Sequence, residues 1–130
     1  MAIAADSVAA ALPTRRIRRV IEYIEQNLDK PLPLTELCAV VYMSPFHFAR
    51  LFRCSTGESP HRFVTLRRIE RASEFLARRE LTIAEISRRV GFRTPSHFTT
   101  MFRRARGVTP SGYRIEQARA PRPHVDRGTP

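Results

Sequence analysis

The sequence of 130 residues holds one lysine, two cysteines and no tryptophan, and its apolar runs are only a handful of residues long. A membrane-spanning helix needs about 20 consecutive apolar residues, so no span is expected. Cys38 and Cys54 show no paired metal spacing and no run of partner ligands. Both read as reduced packing residues. A Gly-rich phosphate loop, a nucleophile–base pair and a carboxylate dyad are also missing. The chain is therefore read as no enzyme, with no metal and no cofactor. Its first thirteen residues, MAIAADSVAAALP, lack the basic start of a secretory signal and include Asp6. They are expected to form a disordered leader on a cytoplasmic protein.

What is abundant is arginine. There are 22 of them, and the formal net charge is +11. That excess favours a polyanionic partner, because each neutralised phosphate releases counterions. The arginine fork also suits phosphates and guanine edges. Charge alone fits DNA, RNA or an acidic membrane surface, and arginine in place of lysine also follows from genomic base composition. A length of 130 residues with 42% hydrophobic composition allows one modest domain or two very small lobes.

Apolar spacing and punctuation predict an all-α chain of about seven helices. Ile17, Val20, Ile21, Ile24 and Leu28 define a first helix over about 14–28, which Pro31 and Pro33 stop. A short second helix covers about 34–41. Ser44-Pro45, Thr82 and Thr94-Pro95 cap later helices, and Gly57 and Gly107 end two of them. Ser59-Pro60 opens a long fourth helix reaching about Arg79, with Phe63, Leu66, Ile69, Ala72, Phe75 and Leu76 as its apolar residues. A seventh helix starts at Thr109-Pro110 and fades near Gln117. The proline-rich stretch from Ala118 is expected to be disordered.

The chain repeats itself. At an offset of fifty, Pro45, His47, Phe48, Phe52, Arg53, Gly57 and Pro60 match Pro95, His97, Phe98, Phe102, Arg103, Gly107 and Pro110. Upstream the offset is forty-nine, with LTEL facing IAEI, so Arg93 is an insertion in the second turn. The expected organisation is a leader (1–13), a first helix-turn-helix subdomain (14–58), a linker helix (59–80), a second helix-turn-helix subdomain (81–117) and a tail (118–130).

At 100° per residue, Phe48, Leu51, Phe52 and Ser55 gather on one side of the third helix, and Phe46, Ala49, Arg50 and Arg53 on the other. In the sixth helix the first set becomes Phe98, Met101, Phe102 and Ala105, still suited to a core. The second set becomes Ser96, Thr99, Thr100 and Arg103. One buried face is used twice to present two different outer faces. A short helix behind a tight turn, with polar and arginine side chains near its start, fits the DNA major groove. The linker helix, at about nineteen residues, spans roughly 28 Å. One turn of B-DNA is about 34 Å, so such a rod could set two recognition helices in successive major grooves. Helix-turn-helix units also occur as plain packing modules, the alternative against which the charge and the repeat weigh. Arg15, Arg16, Arg18 and Arg19 read singly as a solvated helix face. His47 and His97 have no further ligands at useful spacing and read as helix-flank or phosphate-contact residues.

Over about residues 14 to 117 the sequence resembles the DNA-binding domain of the AraC/XylS family of bacterial transcription regulators. Ser44, Pro45, Phe48, Arg50, Phe52, Gly57, Ser59, Pro60 and Phe63 carry the first motif, and Arg68, Ile69, Ala72, Phe75 and Leu76 match along the linker. IAEISRRVGFRTPSHFTTMFRRARGVTPSGYR is the most specific stretch. The resemblance implies a sequence-specific regulator of transcription, an activator, bound as a monomer to double-stranded DNA in adjacent major grooves. It also implies RNA polymerase as a partner and a place at the bacterial nucleoid. By position, Phe46, Ala49, Arg50, Ser96, His97 and Thr100 are the expected base-contacting residues, and Arg53, Arg93, Arg103 and Arg104 the phosphate-contacting ones. Thr100 stands where the family commonly has arginine, and Tyr42 where a turn glycine is usual. Cys38 and Ser87 hold the small-residue position, usually alanine, where two helices cross. Two other readings stand beside this one: a DNA-binding fragment of a larger ligand-sensing regulator, and a non-specific nucleic-acid coat.

Overall fold

The structure is a computed structural model and describes residues 12–119. The expectations for 1–11 and 120–130 lie outside the described residues. Within them the chain forms seven helices and no strand: α1 (Thr14–Gln26), α2 (Leu34–Val40), α3 (Pro45–Thr56), α4 (Pro60–Arg78), α5 (Ile83–Arg89), α6 (Pro95–Arg106) and α7 (Pro110–Arg119). The all-α expectation holds. α1 stops two residues earlier than its apolar spacing suggests, because Asn27 leaves the helical region and its side-chain amide donates to the Tyr23 carbonyl at 2.8 Å. α7 runs two residues further than expected.

The helices belong to two compact units that meet in sequence between Arg68 and Ile69, inside α4. The helix expected as the linker (59–80) thus gives residues to both units. In the first unit Val20, Ile24 and Leu28, then Leu37, Cys38 and Val41, then Phe48, Leu51 and Phe52 pack into one core, closed by Val64. Leu12 joins it at 6% exposure, and its N–H donates to Ser55 Oγ at 2.8 Å. Leu12, expected in the leader, is therefore part of the first unit. The second core gathers Ile69, Ala72 and Leu76 with Ile86, Val90, Phe92, Phe98 and Phe102. Each fully buried phenylalanine contributes about 1.5–3 kcal/mol through burial alone, as does each buried valine, leucine or isoleucine beside it.

The aromatic pairs repeat. Phe52 meets Phe63 edge to face at 5.3 Å, and Phe102 meets Tyr113 edge to face at 5.4 Å. Phe48 lies tilted against Phe52 at 5.4 Å, and Phe98 meets Phe102 edge to face at 5.7 Å. Two expected packing residues do not pack. Cys54 is exposed, because it lies two residues past Phe52 and so about 200° round α3 from the core. Ala105 is exposed in the last turn of α6, whereas its counterpart Ser55 is half-buried where Leu12 reaches it. Cys38 is buried as expected, its thiol donating to the Thr35 carbonyl at 3.3 Å.

In each unit an arginine from the closing helix forks onto carbonyls where the opening helix ends. Arg68 Nε donates to the Leu28 carbonyl at 3.0 Å and Nη2 to that of Lys30 at 2.8 Å. Arg114 Nε donates to Leu76 at 3.1 Å and Nη2 to Leu81 at 2.7 Å. These bonds supply donors to carbonyls left without a helical partner. Burial pulls the Arg68 guanidinium below its usual value, though it stays cationic at physiological pH.

Ser87 lies on α5, fully buried, and its hydroxyl has no hydrogen-bond partner. A buried hydroxyl without a partner costs about 1–3 kcal/mol. Ser87→Ala is accordingly expected to raise stability by about 1 kcal/mol in urea unfolding followed by circular dichroism. A loss of stability would show that the hydroxyl is satisfied.

Candidate nucleic-acid interface

The two helix-turn-helix turns are built from the same backbone bonds. After α2, the Tyr42 N–H donates to the Ala39 carbonyl and the Met43 N–H to that of Cys38; after α5, Gly91 and Phe92 donate to Arg88 and Ser87. This pair of bonds is the Schellman arrangement, which needs a left-handed residue just past the helix. Gly91 adopts it at φ 97 without penalty, whereas Tyr42 adopts it at φ 56. A residue with a Cβ there costs roughly 1–2 kcal/mol. The expected insertion is visible: four residues, 41–44, separate α2 from α3, while five, 90–94, separate α5 from α6.

Beyond each turn stands a 12-residue helix with the same ends. Ser44 Oγ accepts from the His47 N–H at 3.4 Å, and Thr94 Oγ1 from the His97 N–H at 3.1 Å. Pro45 and Pro95 follow the caps, and Gly57 and Gly107 close the helices in the left-handed region. Neither first turn contains an acidic residue. Both helix starts therefore keep the positive end of the dipole and several free N–H groups.

The structure brings Phe46, Ala49, Arg50 and Arg53 onto one face of α3. Phe46 is 83% exposed, Arg50 and Arg53 are exposed and Ala49 is half-buried. On α6, Ser96, Thr100 and Arg103 are exposed on the matching face, with Arg104 exposed beside them and Arg93 exposed in the turn. His97 lies one step round from that face and sets its ring edge-on against Phe92 at 5.4 Å. It flanks the stripe instead of belonging to it. The residue that occupies the Ala49 place is Thr99, half-buried; the fifty-residue offset puts it on the outer face, but the expected base contacts take His97 in its stead. Arg15, Arg16, Arg18 and Arg19 are all exposed on α1.

α5 is fixed at its start by a reciprocal cap: the Glu85 N–H donates to Thr82 Oγ1 at 3.1 Å and Glu85 Oε1 accepts from the Thr82 N–H at 2.8 Å. These bonds hold the Glu85 carboxyl below its usual range. The cap therefore stabilises the fold above the ordinary carboxylate range and is lost as acid protonates Glu85. Among the described residues no group of three histidines, cysteines or carboxylates could hold a metal ion, and no helix is long and apolar enough to cross a membrane.

A family model described as a helix-turn-helix domain matches residues 37–116. The probable transcriptional regulator LumQ of Photobacterium leiognathi is 33% identical over 93 residues, 72% of this chain and 38% of that protein. The transcriptional activator NphR of Rhodococcus is 35% identical over 116 residues, 88% of this chain and 34% of that protein. Among solved structures, the DNA-binding domain of AdpA, a global transcriptional factor in complex with a target DNA, aligns with a TM-score of 0.76 at 31% identity. That alignment covers 82% of this chain and 96% of the AdpA domain. The chain thus spans between about a third and two fifths of the length of the curated relatives it matches.

Proposed function

The chain belongs to the AraC/XylS family of helix-turn-helix transcription regulators, and from that premise we propose that it binds double-stranded DNA sequence-specifically and regulates transcription. The observation that carries the reading is the repetition itself. Two helices share caps, turn bonds and buried aromatics, yet one offers Phe46 and Arg50 to solvent and the other Ser96 and Thr100. Identical packing with different outer faces is what reading two different base sequences requires. The two helices enter adjacent major grooves, and the protein binds an asymmetric site as a monomer.

Arg50 donates to guanine, Phe46 presses on a thymine methyl, and Ala49 gives apolar contact. On α6, Ser96, Thr99 and Thr100 supply hydroxyls and one methyl-bearing face, with His97 at the flank. Arg53, Arg93, Arg103 and Arg104 hold phosphates. The regulator acts at the bacterial nucleoid and activates transcription by contacting RNA polymerase; the likeness to the transcriptional activator NphR supports the activation alone. The greater length of the relatives favours a second arrangement, in which this chain is the DNA-binding part of a larger sensing regulator. Both arrangements use α3 and α6 alike. The family is one of regulators and not an enzyme class.

Selection of bound duplexes from a random pool, near physiological salt, tests the reading. Two short boxes about ten base pairs apart are expected. The selected site should bind about a thousandfold tighter than random duplex. Equal affinity for every duplex at matched salt would leave only an electrostatic coat.

A further inference from the structure

Tyr42 combines three properties that seldom coincide. It is 90% exposed, it occupies the left-handed region at φ 56, and it sits in the turn that leads into α3. The turn bonds around Gly91 show that the fold imposes this backbone conformation whatever residue stands there. A glycine would adopt it freely, so the tyrosine brings strain. Its exposed ring recovers almost nothing by packing, although burial is what an aromatic ring ordinarily supplies. The other non-glycine residue at positive φ among the described residues is Arg79, at the end of α4, where a cation complements the negative end of the helix dipole. Tyr42 has no such compensation. Strained residues held in place by the surrounding fold cluster at sites that contact ligands.

The surroundings indicate the partner. Four residues beyond Tyr42 is Phe46, itself 83% exposed, with the Ser44 cap between them. The α3 start carries no acidic residue, and Arg50 and Arg53 follow on its outer face. In a helix-turn-helix unit the start of the second helix enters the groove, so the residues just before it pass the sugar–phosphate backbone at the groove edge. A phenol is a donor that suits a phosphate oxygen there and carries no charge of its own.

We infer that Tyr42 is a positioning contact to DNA. Its hydroxyl donates to a backbone phosphate at the edge of the groove that α3 enters, and this sets the depth at which Phe46 and Arg50 meet the bases. The inference rests on the proposed DNA-binding function and adds a residue on which only the first unit can draw, since the second has Gly91 in that place.

The test compares the parent chain with Tyr42→Phe and Tyr42→Gly, on the selected site and on random duplex, across a salt series. Tyr42→Phe is expected to weaken binding to both duplexes by about tenfold, the worth of a hydrogen bond to a charged acceptor. Because a phenol releases no counterion, the dependence on salt should keep its slope and shift in parallel. Tyr42→Gly relieves the backbone, so its melting temperature should equal or exceed the parent's while its affinity falls at least as far. Parent-like affinity of both variants would overturn the inference. So would a loss confined to Tyr42→Gly, which would assign the contact to the ring, and so would a slope lowered by about one, which would assign the effect to a displaced arginine. If the parent showed no site preference, the DNA-reading proposal would fail, yet the random duplex would still decide whether Tyr42 touches phosphate.

Discussion

Phe102→Ala is expected to remove about 3–5 kcal/mol of stability, the range for deleting a fully buried phenylalanine ring. Phe102 is wholly buried, lies 5.7 Å from Phe98 and meets Tyr113 edge to face at 5.4 Å. Alanine would lose the ring's burial and also leave a cavity between α6 and α7, because neither neighbour can fill the gap without leaving its own contacts. Domains of this size are stable by only about 5–15 kcal/mol in total, so the second unit should be largely unfolded in modest denaturant. Urea titration followed by circular dichroism measures the change. Phe52→Ala, at the matching place in the first core, should have a similar effect there. A loss below about 1 kcal/mol for either would mean that the recognition helix is not anchored through this ring.

The second large effect is on recognition. Arg50→Ala should relax preference at a single base pair of the first box, with about 1–3 kcal/mol of discrimination lost there and little change elsewhere. Arg50 is exposed on α3 one turn from Phe46, where a guanidinium can reach a base edge without first giving up a protein partner. Arg53→Ala provides the contrast. It should weaken binding to all sequences alike and lower the salt slope by about one, as expected for a phosphate contact. Quantitative binding to a set of single-base variants of the selected site separates the two. Uniform weakening by Arg50→Ala would reassign Arg50 to the backbone.

Much of the architecture was legible because its punctuation is chemical. Ser44-Pro45 and Thr94-Pro95 can only begin helices comfortably, and Gly57 and Gly107 readily end them, so the bounds of α3 and α6 followed from residue type. The repeated phenylalanines fixed the buried faces, and the edge-to-face pairs bear this out. What escaped depended on contacts between distant segments. Leu12 is one apolar residue in an alanine-rich stretch, and no periodicity marks it for burial against Ser55. Arg68 and Arg114 bind backbone carbonyls, which leave no trace in side-chain patterns, and they do not share the fifty-residue offset. Cys54 misled through residue type, since its place on the helix decides against burial. At the site, exposure of Phe46, Arg50, Ser96 and Thr100 was readable from helical angle. The edge-on contact of His97 with Phe92 was not, because it joins a helix residue to a ring in the preceding turn.

α4 closes the first unit and opens the second, and this has a consequence for how damage spreads. Two such units built apart would use eight helices, whereas the described residues need only seven. The saved helix removes a point of independence. Val64 serves one core and Ile69, Ala72 and Leu76 the other, along one continuous hydrogen-bonded backbone. A proline placed near its middle would therefore injure both readers at once, whereas the same lesion in α2 or α5 would silence one and spare its sibling.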